Sequence, residues 1–506
     1  MDTRTAIIYG VMKSRVKEIE QNAQRTEPVQ QQQLRRVLRQ LNRTQYRSLF
    51  SSTPIQNYEQ YARLIPVTEY EAIRPWAEEM LKGKPNQLTA APCRWFATSS
   101  GTSGGRSKYL PVPSTHLHAS HFKGASDALW LYLSTRSDSR FFSHKSLVIG
   151  GSHKPTTLGS GTHTGDLSAI LVEHMPALGR MFRVPSTQTL LMDEWVSKMA
   201  AIVKEVAKAD VGSLSGVPSW MLETLLAILD HEGKSSVSEV WPNLEVFFHG
   251  GISFDPYRER YKELIPSPRM QYRETYNASE GFFAIQSDPA DSAMLLMNDY
   301  GIFYEFIPVE EVREGKLSNA VPLWGVEKER TYAMIISTLG GLYRYIIGDT
   351  VRFTSLNPYK IVIAGRTQNY INAFGEELME HNANNALATV CARYGCSVRD
   401  YTVAPYFLLD EAKGYHRWLI EFNSAPQDIE AFAQSLDAEL RSINSDYDAK
   451  RYADMALEPL HLTVAPTGLF TQWLSSKGKL GGQNKVPRMK NDNSLMEELL
   501  ALMPKP

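Results

Sequence analysis

The chain has 506 residues, 43% hydrophobic and 22% charged, with 54 Lys and Arg against 55 Asp and Glu. That composition excludes fibrous and disordered classes. So even a charge balance supplies no field for nucleic acid or an anionic membrane, and a small-molecule partner is expected.

Length alone allows several domains, or one large and one small. Near the start, the apolar stretch Ala6 to Met12 is too short to span a bilayer and lacks a cleavage pattern, which predicts a chain neither secreted nor anchored. The first hundred residues read as helical. Leu34, Val37, Leu38 and Leu41 recur at helical spacing after Pro28, which suits a first turn, and Arg35, Arg36, Arg39 and Arg43 form a solvated face.

From about residue 90 to 365, apolar strand-like runs such as Ser146 to Ile149, Leu244 to Phe248 and Met334 to Ser337 alternate with helical stretches, the pattern of an α/β domain. Beyond Gly365 the spacing predicts a helix over 376–394, strands near 401–409 and 415–422, a helix from Pro426 with Ile429, Phe432, Leu436 and Leu440 in phase, and a strand near 460–464. The expected fold is α/β, with a large N-terminal domain over 1–365 and a small α+β domain over 373–506, joined through 366–372. Three cysteines, Cys93, Cys391 and Cys396, give no disulfide framework and suit a reducing cytoplasm.

The most unusual stretch is Thr98-Ser99-Ser100-Gly101-Thr102-Ser103-Gly104-Gly105-Arg106-Ser107-Lys108. Hydroxyls and glycines let a loop wrap donors around phosphate oxygens, while Arg106 and Lys108 supply positive charge. It lacks the Gly-Lys-Ser/Thr of an NTPase P-loop. Read as G-x-S-x-G, it would make Ser103 a hydrolase nucleophile, but Pro111 and Pro113 leave no room for the helix that must follow.

This loop resembles the phosphate loop of the ANL adenylate-forming superfamily, and further similarities follow in order. Tyr276-Asn277-Ala278-Ser279-Glu280-Gly281 resembles the Tyr-Gly-x-Thr-Glu motif, Tyr343-Arg344-Tyr345-Ile346-Ile347-Gly348-Asp349 the ribose-binding motif, and Gly365-Arg366 with Tyr370 to Glu376 the interdomain hinge. Ser-Ser-Gly-Thr-Ser in the loop, Tyr-x-x-Ser-Glu and Gln483-Asn484-Lys485-Val486-Pro487-Arg488 are most similar to the Gretchen Hagen family of acyl-acid amido synthetases. Gly216-Val217-Pro218-Ser219-Trp220 and His249-Gly250-Gly251-Ile252-Ser253-Phe254 look like its bacterial members.

The resemblance implies an ATP-dependent ligase that adenylates a small carboxylic acid and passes the acyl group to an amino acid, with a mobile C-terminal lid hinged over 366–372. It implies a nucleotide site at Ser99, Ser100, Gly101, Thr102, Ser103, Lys108, Gly251, Tyr276, Ala278, Ser279, Glu280, Asp349, Arg366 and Lys485. Glu280 would hold Mg²⁺, a hard cation that takes oxygen ligands. Tyr276 would stack on adenine, Asp349 would accept from ribose hydroxyls, and Arg366 would add a guanidinium fork.

Lys485 would swing onto the α-phosphate and share catalysis with Glu280 and Thr102, although Lys477 and Lys479 lie close enough to compete. Gln368 departs from the wider superfamily's hinge Asp or Lys. Val217, Pro218, Trp220 and Met221 are expected pocket walls, and His144, His153 and His163 match no metal-ligand spacing and read as loop histidines. The protein is expected to be a cytoplasmic monomer. The rivals are an acyl-CoA ligase, separated by thiol-dependent AMP release, and a nucleotide-binding protein without turnover.

Overall fold

A computed structural model describes the chain apart from residues 100–107, 151–154, 193–194, 252–253, 367–369, 372, 374–375, 377, 408–413, 445–446, 449–450, 452–456, 480–484, 491 and 504–506, and the side chains of 99, 195–196, 219, 256, 313, 366, 370 and 407. It forms two compact units, Met1–Gly251 with Ser267–Val362, and Ile252–Pro266 with Ile363–Pro506.

The first unit opens with helices Thr3–Gln24 and Thr26–Leu41. Asp2 caps the first by accepting from Thr5 N at 2.9 Å. On the second, Leu34, Val37, Leu38 and Leu41 are buried while Arg35, Arg39 and Arg43 are exposed, as the spacing predicts. Arg36 departs from that face: half-buried, it donates to Gln33 Oε1 at 2.9 Å. Gln30 is wholly buried, donating to the carbonyls of Asn298 and Ile302 at 2.8 and 2.9 Å and accepting from Tyr304 N at 2.9 Å. A buried amide so completely bonded fixes the helix against the sheet.

That sheet has twelve strands. Arg183–Val184, Lys145–Val148, Val211–Gly216, Val246–Gly250 and Gln271–Ala278 are parallel neighbours in that order. Beyond Gln271–Ala278 the pairing becomes antiparallel, through Gly281–Ile285 and Met294–Leu296 to Tyr359–Arg366. Tyr345–Leu356, Thr331–Thr338, Ile302–Pro308 and Val321–Pro322 complete it. The runs read as strands near 146, 244 and 334 fall on Lys145–Val148, Val246–Gly250 and Thr331–Thr338.

A separate four-stranded sheet carries Trp95–Ser99 and Lys108–Pro111, antiparallel with Ser99 opposite Lys108. The two ends of the loop 100–107 are therefore held side by side. A strand, not the helix of a nucleophile elbow, follows that loop, and the helical stretch begins only at Ser114, past Pro113.

In the second unit Ser397–Phe407 pairs antiparallel with Gly414–Ser424, which pairs parallel with His461–Val464. Helices Glu380–Tyr394 and Ile429–Ile443 accompany them. The first starts four residues later than the spacing predicts because Leu378–Met379 is drawn into a short strand against Tyr370–Ile371. The second starts at Ile429, where Asp428 accepts from Ala431 N at 2.9 Å. Within this unit Tyr257 donates to the Arg399 carbonyl at 2.9 Å and accepts from Arg488 at 3.2 Å, contacts that local sequence does not encode. No described helix is long and apolar enough to cross a membrane.

Candidate active site

Gln271–Ala278 and Gly281–Ile285 form a hairpin with Gly281 opposite Ala278, so Ser279 and Glu280 make its turn. Both are buried, at 8% and 7% exposure, and Ala278 is half-buried. Tyr345 donates to Glu280 Oε1 at 3.4 Å, and Lys108 Nζ donates to the Tyr345 hydroxyl at 3.4 Å. Lys108 also lies 5.9 Å from the centre of the Tyr70 ring, within cation–π reach. Tyr70 in turn accepts from Tyr109 N at 2.6 Å, fastening the strand that carries Lys108. A basic residue from the loop's end, a tyrosine from the expected ribose motif and the expected metal carboxylate thus form one row.

Beside this row Tyr276 donates to Asp349 Oδ2 at 2.6 Å. The expected adenine stacker and the expected ribose acceptor are in direct contact. The Tyr276 ring is buried and tilts against Phe283 with centroids 4.9 Å apart. Asp349 is aimed by an irregularity in its strand: the register with Thr331–Thr338 shifts between Ala333 and Ile335, and Gly348 takes φ +89. Such a bulge re-aims the side chain beside it, and glycine adopts that backbone without penalty. Gly250 precedes Gly251 at a second special place, because a Cβ there would sit 2.2 Å from the Thr275 carbonyl oxygen, on the strand that leads to Tyr276. Gly251 is exposed with φ +85.

Arg344, inside the same motif, has a different role. Its guanidinium pairs with Glu305 through Nε at 3.0 Å and NH2 at 2.9 Å, and NH1 donates to the carbonyls of Ala62 and Ile65 at 2.7 and 2.8 Å. Both charged groups are nearly sealed from solvent, at 3% and 1% side-chain exposure. The pair holds the residue next to Tyr345 in an uncommon φ of +47.

Ser100, Gly101, Thr102 and Ser103 lie outside the described residues, as do His153 and Gln368 and the side chains of Ser99 and Arg366. Val217 is the N-cap residue of helix Pro218–Glu232, with Val217 and Trp220 half-buried and Pro218 and Met221 buried. His144 pairs with Asp210 at 2.7 Å, and His163, on a short strand rather than in a loop, stacks on Trp95 at 4.2 Å.

In the second unit Lys485 is exposed, and the residues after it are tied down. Thr402 donates to the Pro487 carbonyl at 2.7 Å, and Val403 N to that of Arg488 at 2.8 Å. Arg488 is bonded to Asp400 and to the Tyr401 carbonyl. Of the competing lysines, Lys477 pairs with Glu498 at 3.0 Å and lies over Trp473, while Lys479 is exposed.

Neither Tyr345 nor His116, whose Nε2 bonds the Glu280 carbonyl oxygen at 3.0 Å, stands out from sequence spacing. Tyr345 belongs to the ribose-like motif Tyr343 to Asp349; His116 belongs to no motif. A carboxylate at a tight turn fits Mg²⁺, which takes one or two protein carboxylates and completes its shell with water and phosphate oxygens.

Comparison with known proteins bears on this arrangement. Residues 15–270 match the GH3 family N-terminal domain, 295–366 its central domain and 381–494 its C-terminal domain. The chain is 22% identical to the Arabidopsis thaliana indole-3-acetic acid-amido synthetase GH3.3, the match covering 95% of this chain and 92% of that protein. It is 21% identical to the A. thaliana 4-substituted benzoates-glutamate ligase GH3.12, covering 95% and 96%. Among solved structures, a GH3.15 acyl acid amido synthetase aligns with TM-score 0.79 at 17% identity over 96% of this chain and 95% of that one. A 2-hydroxyisobutyryl-CoA ligase in its postadenylation state aligns with TM-score 0.58 at 13% identity over 97% and 93%. At such identities the structural likeness shows the fold alone.

Proposed function

The chain belongs to the GH3 family, whose domains match residues 15–270, 295–366 and 381–494, and from that premise we infer that it is an acid–amido synthetase working through an acyl adenylate. The observation that carries this reading is the meeting of Lys108, Tyr345, Glu280, Tyr276 and Asp349, which come from three separate motifs.

In the first half-reaction a substrate carboxylate attacks the α-phosphorus of ATP and pyrophosphate leaves. In the second the amine of an amino acid attacks the acyl carbon and AMP leaves. Both reactants of the first step are anions, so the site must offset their repulsion. Lys108 contributes charge at the phosphate loop, and Tyr276 holds the Asp349 carboxylate for the ribose hydroxyls. Glu280 would hold Mg²⁺, which when bound neutralises phosphate charge and polarises the reacting phosphoryl group.

Lys485 supplies the ammonium that stabilises the transition state. Support for it comes from the resemblance of Gln483-Asn484-Lys485-Val486-Pro487-Arg488 to the family's C-terminal motif. Thr102 and its neighbours complete the phosphate loop, Arg366 and Gly251 belong to the nucleotide site, and Val217, Pro218, Trp220 and Met221 bound the acid. The segment 366–372 is the hinge of the reading, in a cytoplasmic monomer with no nucleic acid partner.

The test is acid-dependent exchange of labelled pyrophosphate into ATP across aryl, indole and aliphatic carboxylates, followed by addition of amino acids or coenzyme A. Exchange with one acid class and amide formation on adding an amino acid are expected. AMP release that requires a thiol would move the assignment to an acyl-CoA ligase, and ATP binding with no exchange would leave a binding protein.

A further inference from the structure

The turn that bears Glu280 is gripped from behind by one helical stretch. Ser114–His116 is α-helical, Leu117–Phe122 opens into a π-helix, and Lys123–Ser134 is α-helical again. Three residues at intervals of four, His116, Ser120 and Gly124, meet the turn in succession. His116 Nε2 bonds the Glu280 carbonyl oxygen at 3.0 Å, Phe282 N donates to Ser120 Oγ at 2.9 Å, and a Cβ on Gly124 would lie 2.3 Å from Phe282 Cγ.

The backbone on both sides of Gly281 is therefore clamped, and the helix can come this close only with glycine at the third position. His116 is itself held: its ring meets His121 edge-on at 5.2 Å, and a Cβ on Gly340 would lie 3.0 Å from its Cδ2. A carbonyl only accepts, so Nε2 carries the proton. π-helical turns recur where a helix must present side chains out of normal phase to a functional element.

We propose that His116 and Ser120 are positioning residues for the Glu280 carboxylate, fixing its turn from the carbonyl side and the amide side so that the carboxylate meets the nucleotide-bound divalent cation. The inference rests on the reading of Glu280 as the cation ligand. Groups that orient a metal ligand typically change metal affinity about 10–100-fold when removed.

The experiment uses the full chain with a non-hydrolysable ATP analogue and Mn²⁺ as probe. Free Mn²⁺ is counted by its paramagnetic resonance signal for the parent and for Glu280→Gln, His116→Phe, His116→Gln and Ser120→Ala, with thermal melts to confirm folding. We expect Glu280→Gln to weaken Mn²⁺ binding most. His116→Phe and Ser120→Ala should weaken it about 10-fold, and His116→Gln, whose amide can still donate to the carbonyl, much less.

Folded His116→Phe and Ser120→Ala proteins with parental Mn²⁺ affinity, beside a weakened Glu280→Gln, would overturn the positioning role and leave the Glu280 reading standing. Parental affinity in Glu280→Gln would overturn both. Should His116→Phe fail to fold, Ser120→Ala, which deletes one hydroxyl, decides alone.

Discussion

Two neighbouring residues of one motif, Arg344 and Tyr345, serve opposite ends. Arg344 turns inward and is consumed by the protein: a two-pronged pair with Glu305 and two carbonyls, all within 3.0 Å at their closest. Tyr345 joins Lys108 and Glu280, with bonds of 3.4 Å on either side. The first contacts are short and mutual, the second at the long limit of hydrogen bonding. A closed buried ion pair reads as structure, whereas polar groups drawn from separate segments and joined by long contacts read as part of a site whose geometry tightens around a ligand.

If that distinction holds, substitutions on the two sides should separate stability from activity. The largest stability loss is expected from Arg344→Ala, which strands the buried Glu305 carboxylate and should cost about 3–5 kcal/mol in chemical denaturation. Arg344→Met with Glu305→Leu should cost less than the separate losses combined, because neither charge is then left alone.

Lys485→Ala should slow pyrophosphate exchange by about 10²–10³, the scale of losing one transition-state stabiliser, with the denaturation midpoint unchanged because the side chain is exposed. Retained exchange would remove Lys485 from the mechanism.

The fastening behind Glu280 should show itself in acid. His116 moves from an ordinary value of 6.5 to about 4 on burial, so between these pH values the unfolded chain binds the extra proton. Its contribution is fully present above 6.5 and is lost as pH falls toward 4, up to about 3 kcal/mol for a shift of this size. Denaturation midpoints measured across that range should be flatter in His116→Gln.

Tyr276→Phe deletes the bond to Asp349 and should raise the KM for ATP about 10-fold, since a hydrogen bond to a charged group is worth roughly 1.5–3 kcal/mol. The smallest effect is expected from Lys477→Ala. Its pair with Glu498 is half-exposed, so both the exchange rate and the midpoint, off by less than about 0.5 kcal/mol, should stay near parental.

Sequence periodicity located the helix Thr26–Leu41 and the main strands because burial on one face leaves a repeating apolar signature. Motif order singled out Tyr276, Glu280 and Asp349, and the structure brings Tyr276 against Asp349 and Glu280 against Tyr345. Other features had no such signature. Nothing in the sequence shows that the Gln30 amide is bonded to three backbone groups or that Arg344 pairs with Glu305. His116 and Ser120 act on backbone atoms some 160 residues away, a relation set by tertiary packing and invisible to any local window.

The change from parallel to antiparallel pairing at Gln271–Ala278 also bears on how the molecule assembles. Closing a chain loop costs entropy that grows with its length, and every parallel partner in this sheet lies a long connection away. The hairpin that bears Glu280 closes across two residues. The carboxylate turn therefore belongs to one of the least expensive pairings in the sheet, matched by the two-residue connection between Tyr345–Leu356 and Tyr359–Arg366, while the parallel pairings beside it are non-local.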